Sequence, residues 1–221
     1  MRSIISAEYV ITAAHCVVDS NNTVPHPVAV TVGYGSNNLT SQTTVSAANL
    51  TVHPSYIVGG QKNRTNDVAI IRIPKLTLGD NIKRIAIYSK QIKEKTSIKA
   101  YGWGQTEDGK QSIILRGATL ITGTLSDCKK LQSDFVDNGP LICLPGKYTS
   151  GVSTCSGDSG TGATLNDGKT PMLAAFDSHV RWEGVQTCSA STSVHYFVHV
   201  YYHLNFIMSA TSLSKDDLCK A

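Results

Sequence analysis

The sequence is punctuated rather than long-period. Short runs rich in Val, Ile, Thr and Tyr recur along it: Val28–Val32, Thr43–Val52, Val68–Ile73, Ser97–Ala100, Leu115–Thr122, Met172–Phe176 and Tyr196–Tyr202. Gly, Asn, Asp and Pro separate them, as in Gly33-Tyr34-Gly35-Ser36-Asn37-Asn38. β-branched and aromatic side chains suit a pleated surface, and turn formers end each run before it lengthens. This spacing predicts an all-β barrel or sandwich rather than βαβ units. The one longer helix is expected at about Tyr202–Ala210, where Leu204, Ile207 and Met208 recur at helical spacing.

The chain has 221 residues, 41% hydrophobic and 16% charged. That is ample for a core, and the low charge excludes a disordered chain. There is no internal repeat, low-complexity block or interdomain linker. No run approaches the roughly 18 apolar residues that span a bilayer, so no membrane partner is expected. Twenty Lys and Arg against sixteen Asp and Glu give +4, too mild to argue for nucleic acid. The basic residues between Lys83 and Lys99 read as a solvated loop. Six cysteines suit two or three bridges across a real core. Asn-x-Ser/Thr sequons begin at Asn21, Asn38, Asn49 and Asn63, and with the cysteines they point to a secreted glycoprotein. Met1–Ala14 does not read as a signal peptide, because Glu8 interrupts its apolar run. A secretory signal is therefore expected upstream of this chain.

Three short segments carry chemistry. Thr12-Ala13-Ala14-His15-Cys16 sets a histidine after an apolar strand. Asn66-Asp67-Val68-Ala69-Ile70-Ile71 sets an acid at the head of a buried one. Cys155-Ser156-Gly157-Asp158-Ser159-Gly160 sets a serine in a glycine-flanked turn. Each alone has an ordinary structural explanation as a satisfied side chain or a turn former. In the order His, Asp, Ser they resemble the chymotrypsin-like (trypsin-like) serine proteases. Val52-His53-Pro54-Ser55-Tyr56, Tyr101-Gly102-Trp103-Gly104 and Leu125-Ser126-Asp127-Cys128 fall in that family's order too.

The resemblance implies two six-stranded antiparallel β-barrels with a C-terminal helix, the first barrel truncated at its N-terminus. On this reading residues 1–85 form the first barrel, 97–200 the second and 202–210 the helix, all within one protease domain. It implies that His15 is the general base, Asp67 its orienter and Ser159 the nucleophile, because a serine hydroxyl is inert near neutral pH without an adjacent base. Gly157 and Ser159 would supply the oxyanion-binding N–H groups. Ser178 would support Asp67, and the segment through His179 and Val180 would pair with the substrate backbone. Bridges Cys128–Cys143 and Cys155–Cys188 match the family, leaving Cys16 and Cys219 either to pair with each other or to lack upstream partners.

The same layout puts Ser153 at the floor of the specificity pocket and Val180 and His195 on its walls. It predicts a preference for small or medium uncharged side chains, with Asp177 as a minority case for polar or basic ones. Asp158 matches the acid that receives a freed N-terminus in the family. Without that partner it would be a buried, uncompensated charge, so the chain by itself is expected to be zymogen-like. No cofactor or metal is expected. His195, His199 and His203 recur every fourth residue, but the resemblance puts the first two on a strand and the third near the final helix, and the Gly33–Asn49 loop has no carboxylate for calcium. The expected function is a secreted, monomeric serine endopeptidase acting on proteins or peptides and open to protease inhibitors. The alternative is a catalytically silent binding or decoy protein, or an inactive fragment.

Overall fold

The computed structural model describes residues 3–19, 21, 23–57, 64–168, 170–184, 187–188 and 191–220. The first six strands are β1 (Ser3–Ile4), β2 (Tyr9–Thr12), β3 (Thr31–Tyr34), β4 (Thr43–Ser46), β5 (Asn49–Val52) and β6 (Ala69–Arg72). They form a four-stranded antiparallel sheet, β1-β2-β6-β5, and the hairpin β3-β4. The bond from Ala47 N–H to Val30 O (2.8 Å) extends the hairpin, and the one from Ala48 N–H to Arg72 O (2.7 Å) ties the end of the hairpin to β6 of the sheet. Six more strands follow: β7 (Ser97–Gly102), β8 (Arg116–Ile121), β9 (Leu141–Pro145), β10 (Gly162–Asp167), β11 (Thr170–Arg181) and β12 (Val194–His199). These make one antiparallel sheet, β8-β7-β10-β11-β12-β9. Gly123 N–H, just after β8, bonds to Cys143 O of β9 at 2.8 Å, so the sheet curls until its two edges meet.

Period-2 alternation explains how the sheets pack. In β2, Val10 joins the interior of the first six strands and Ile11 faces the other way, toward the second sheet. In β6 and the residue before it, Ala69 and Ile71 pack inward while Val68 and Ile70 pack across. In β12, Phe197 enters the interior of the second sheet, with Tyr196 and Val198 on the shared face. Strands buried on both faces need near-continuous apolar runs, as Val68–Ile71 has. The central cluster, from Ile11 to Tyr196 and Ile207, thereby welds the two halves together.

Several expected boundaries move. Val28–Val32 begins as a 3-10 turn at Pro27–Ala29, because proline caps a helical turn readily, and the strand runs Thr31–Tyr34. Thr43–Val52 is two strands broken at Ala47–Ala48. The C-terminal helix is α2 (Leu204–Thr211), bounded by Ser212 in the left-handed region, with Leu204, Ile207 and Thr211 buried. Two helices were not expected: α1 (Leu125–Leu131) and α3 (Lys215–Cys219). Both begin with a capping box, Thr124 with Asp127 and Ser214 with Asp217, a signal present in the sequence.

The Cys128–Cys143 and Cys155–Cys188 bridges are formed. Cys16 and Cys219 are free thiols, not paired with each other. Asn21 and Asn49 are exposed and Asn38 is half-buried, while Asn63 lies outside the described residues. No helix among the described residues is long and apolar enough to cross a membrane. His195 and His199 lie on β12 and His203 just before α2. His199 Nδ1 bonds to Gly139 O at 3.2 Å.

Candidate active site

The register of β2 against β6 builds half of the site. Thr12 pairs with Ala69 at the end of the ladder, so the residues after β2 and before β6 leave the sheet together. His15 sits in the 3-10 turn Ala14–Cys16 that follows β2, and Asp67 shortly precedes β6. His15 Nδ1 lies 2.7 Å from Asp67 Oδ2, and the His15 backbone N–H donates to Oδ1 at 2.8 Å. The Ser178 hydroxyl donates to Oδ2 at 2.6 Å. Asp67 is completely buried. Burial by itself raises a carboxyl pKa, but these donors outweigh it and hold Asp67 below the usual range. For His15 burial pulls the pKa down, and the Asp67 carboxylate with the adjacent Cys16 outweighs that, leaving the ring more basic than an ordinary histidine. With Nδ1 committed to Asp67, Nε2 is the nitrogen left for proton transfer.

The other half comes from β10 and β11. Gly162 pairs with Phe176, so the turn before β10 lies beside the continuation of β11. Gly160 N–H donates to Asp177 O (2.8 Å) and Asp177 N–H to Thr161 O (2.9 Å), which locks the Ser159 turn against β11. The register between β11 and β12 slips from Asp177–Phe197 to His179–Tyr196. Ser178 is the extra residue, and this bulge aims its side chain out of the ladder toward Asp67. Gly157 has φ 93° and Gly160 φ 74°, left-handed conformations that explain the glycines flanking Asp158 and Ser159.

Ser159, Ser178, His179, Val180, Thr154 and His195 line one cavity of about 450 Å³, within the size range of small-ligand sites. His179 stacks on Tyr196, 5.0 Å between ring centres, and its Nε2 meets Gln132 Oε1 at 3.1 Å. Burial, with Arg64 and Arg181 nearby, pushes its pKa down to about 3, so the ring is neutral. His195 is also held neutral, burial lowering it to about 4. Its two ring nitrogens meet the Thr154 and Ser193 hydroxyls at 3.1 and 3.2 Å, so it does not pair with Asp177. Ser153 is not brought to this cavity: its hydroxyl bonds to the Cys188 and Thr154 carbonyls, and it lines a separate cavity with Asp158. Its neighbour Thr154 lines the cavity instead.

Asp158 lies next to the candidate nucleophile Ser159. It is buried, but its carboxylate accepts from Gly104 N–H at 2.8 Å and Cys155 N–H at 2.9 Å. These bonds lower its pKa less than burial raises it. The charge is therefore partly compensated by backbone. Arg64, whose guanidinium donates to Ser178 O at 3.4 Å, carried no signal in the sequence, because a loop arginine has no pattern of its own.

The trypsin family profile matches residues 2–207. The chain belongs to the trypsin family. A brachyurin from Leptuca pugilator is 28% identical over 219 residues, 96% of this chain and 87% of that protein. Venom serine protease 34 from Apis mellifera is 29% identical over 181 residues, 77% of this chain and 43% of that protein. An ovochymase from Halocynthia roretzi is 30% identical over 167 residues, 72% of this chain and 10% of that protein. The chain thus spans less than half of the latter two relatives. The solved structure of neuropsin, a serine protease expressed in the limbic system of mouse brain, superposes with a TM-score of 0.78 at 21% identity. It covers 95% of this chain and 87% of its own, and shows the shared fold. Membership of the trypsin family supports a peptidase acting on protein or peptide substrates.

Proposed function

We propose that this trypsin-family chain is a serine endopeptidase that works through an acyl-enzyme on His15, Asp67 and Ser159. The observation that carries the reading is the fully buried Asp67 carboxylate, held by the His15 ring and the Ser178 hydroxyl beside the cavity that Ser159 lines. Ser159 Oγ attacks the substrate carbonyl, and His15 Nε2 takes its proton and returns it to the leaving amine. Asp67 keeps the proton on Nδ1 and stabilises the imidazolium. The N–H groups of Gly157 and Ser159 bind the developing oxyanion. Substrate backbone pairs with the end of β11 as an added strand.

The first barrel (1–85), second barrel (97–200) and C-terminal helix (202–210) act as one protease domain. Secretion is supported by the two disulfides, the sequons at Asn21, Asn38, Asn49 and Asn63, and a relative whose name places it in venom. Peptide substrates and protease inhibitors are the partners of such a monomer, with no nucleic acid, membrane or cofactor. The test is labelling by a fluorophosphonate probe together with ester hydrolysis, in the chain and in Ser159→Ala. Labelling and turnover lost in the variant support the enzyme. Equal signals in both, or none in either, leave the catalytically silent binding protein. One observation favours that second reading: Asp158 is already engaged by Gly104 and Cys155 next to the nucleophile.

A further inference from the structure

The basic run from Lys83 to Lys99 is a motif that the proposed chemistry leaves unused, and the fold sorts its members. Arg84 is committed to the end of α3, its guanidinium donating to Asp217 O at 3.1 Å and Lys220 O at 2.7 Å. Lys90 pairs with Asp167 at 2.9 Å, and the Lys95 ammonium lies 3.2 Å above the Tyr148 ring. Lys93 and Lys99 instead line one cavity of about 640 Å³, with no Asp or Glu among its lining residues. Neither forms an ion pair among the described residues. This cavity shares no residue with the one beside Ser159.

Local structure places these groups. Alternation along β7 buries Ile98 and Ala100 in the interior of the second sheet and turns Ser97, Lys99 and Tyr101 outward on one face. Thr164 of β10 pairs with Lys99 and lines the same cavity. Lys93 is brought to this face by the buried Thr122, whose hydroxyl donates to Lys93 O and accepts from Thr96 N–H, both at 2.8 Å. The Tyr101 ring packs over Gly117 of β8, where a Cβ would stand 3.0 Å from it, and Tyr101 keeps 38% of its surface exposed. The acids nearest in sequence are already engaged, Asp167 by Lys90 and Glu94 by the Leu125 N–H at 2.7 Å.

We propose that this cavity binds a sulfated polysaccharide, with Lys93 and Lys99 holding sulfate groups and Tyr101 packing on a sugar ring. Two ammonium groups with no carboxylate in the lining favour an anion. Lysine is a point charge with rotatable donors and suits a tetrahedral sulfate, whereas a planar carboxylate is better met by the arginine fork that the lining lacks. The hydroxyls of Thr96, Ser97 and Thr164 and the Asn166 amide supply donors and acceptors for sugar hydroxyls. The volume lies within the range of ligand sites. A nucleic acid would need a longer basic track than two lysines. A lipid surface would need exposed apolar side chains, and the aliphatic lining residues Ile92 and Leu165 are buried. The two disulfides suit an oxidising, extracellular compartment, where sulfated polysaccharides are found.

The probe is a heparin hexasaccharide, compared with its chemically desulfated form and with inorganic sulfate. Titration calorimetry measures binding to the chain, to the double variant Lys93→Gln with Lys99→Gln, and to Lys75→Gln with Lys215→Gln, which removes the same charge from exposed positions outside the cavity. The first pair should weaken hexasaccharide binding ~5- to 25-fold, two exposed ion pairs at the upper end of their usual range, and the second pair should leave it nearly unchanged. Added salt should weaken binding to the chain more than binding to the first pair. Tyr101→Ala should weaken binding without altering its salt dependence, and Tyr101→Phe should bind like the chain. No binding of the hexasaccharide, equal binding of the desulfated form, or equal losses in the two double variants overturns the proposal. Inorganic sulfate bound as tightly as the hexasaccharide would leave an anion site with no role for the sugar and overturn it too. Tighter binding of phosphatidylserine vesicles than of the hexasaccharide would make the ligand a lipid surface instead. None of these measurements involves turnover, so they stand apart from the test of Ser159.

Discussion

Ser178→Ala isolates one bond of the candidate triad. The Ser178 hydroxyl donates to Asp67 Oδ2 at 2.6 Å, with Ser178 3% and Asp67 0% exposed, so no solvent can replace it. A hydrogen bond to a charged group is worth about 1.5–3 kcal/mol. With an m-value of about 2 kcal/mol per molar urea, the unfolding midpoint near neutral pH should fall by about 0.7–1.5 M. Asp67 is held below the ordinary carboxylate range in the folded chain, so its charge stabilises above the unfolded pKa and that contribution is lost as pH falls through the folded value. Alanine raises the folded pKa. The gap between chain and variant should therefore narrow as pH falls through their folded pKa values, for the chain below the ordinary carboxylate range, where the folded carboxyl takes up its proton in both proteins. The same energy, applied where the imidazolium forms, predicts a fall in kcat/KM of about 10- to 100-fold. Urea titrations at several pH values and ester hydrolysis provide the assay. A stability loss independent of pH would mean that the hydroxyl acts through packing alone, and the reasoning would fail.

Three further outcomes follow from other parts of the molecule. Gly102→Ala should destabilise by roughly 2–4 kcal/mol and weaken probe labelling of Ser159, because the new Cβ would lie 1.7 Å from Asp158 Oδ1 and force the acid off Gly104 N–H; thermal melts and labelling check both. Replacing Cys155 and Cys188 together by Ser should cost ~3–4 kcal/mol for a bridge spanning 33 residues, read from urea titrations, and lower substrate affinity because both cysteines line the cavity. Asp127→Ala should cost about 1–2 kcal/mol near neutral pH through loss of the α1 capping box, and much less near pH 2. The sign follows from Asp127: slight burial raises its pKa, but Lys147, Tyr148 and Thr124 outweigh it, so its stabilising charge is lost in acid.

Much of this protein was legible before any coordinate. Short runs rich in Val, Ile, Thr and Tyr between turn formers pointed to an all-β fold, because β-branched and aromatic side chains suit a pleated surface and turn residues end each run. The resemblance implied that His15, Asp67 and Ser178, far apart in the chain, act as a set, and in the structure they lie in hydrogen-bond contact. Both disulfides followed from the resemblance. The capping boxes at Thr124 and Ser214 were also written in the sequence, though the helices they start were overlooked for being short.

The character of the pocket was not legible in this way. Ser153 turns to the Cys188 carbonyl, Thr154 lines the cavity in its stead, and Asp177 is left with an oxygen unpartnered among the described residues. Cys16 and Cys219 remain separate thiols, and Asp158 finds two backbone donors. A sequence determines which residues alternate, turn or cap, since those depend on near neighbours along the chain. Desolvation and hydrogen-bond satisfaction depend on groups that only folding brings together, so the protonation state of a buried acid is decided by the tertiary structure.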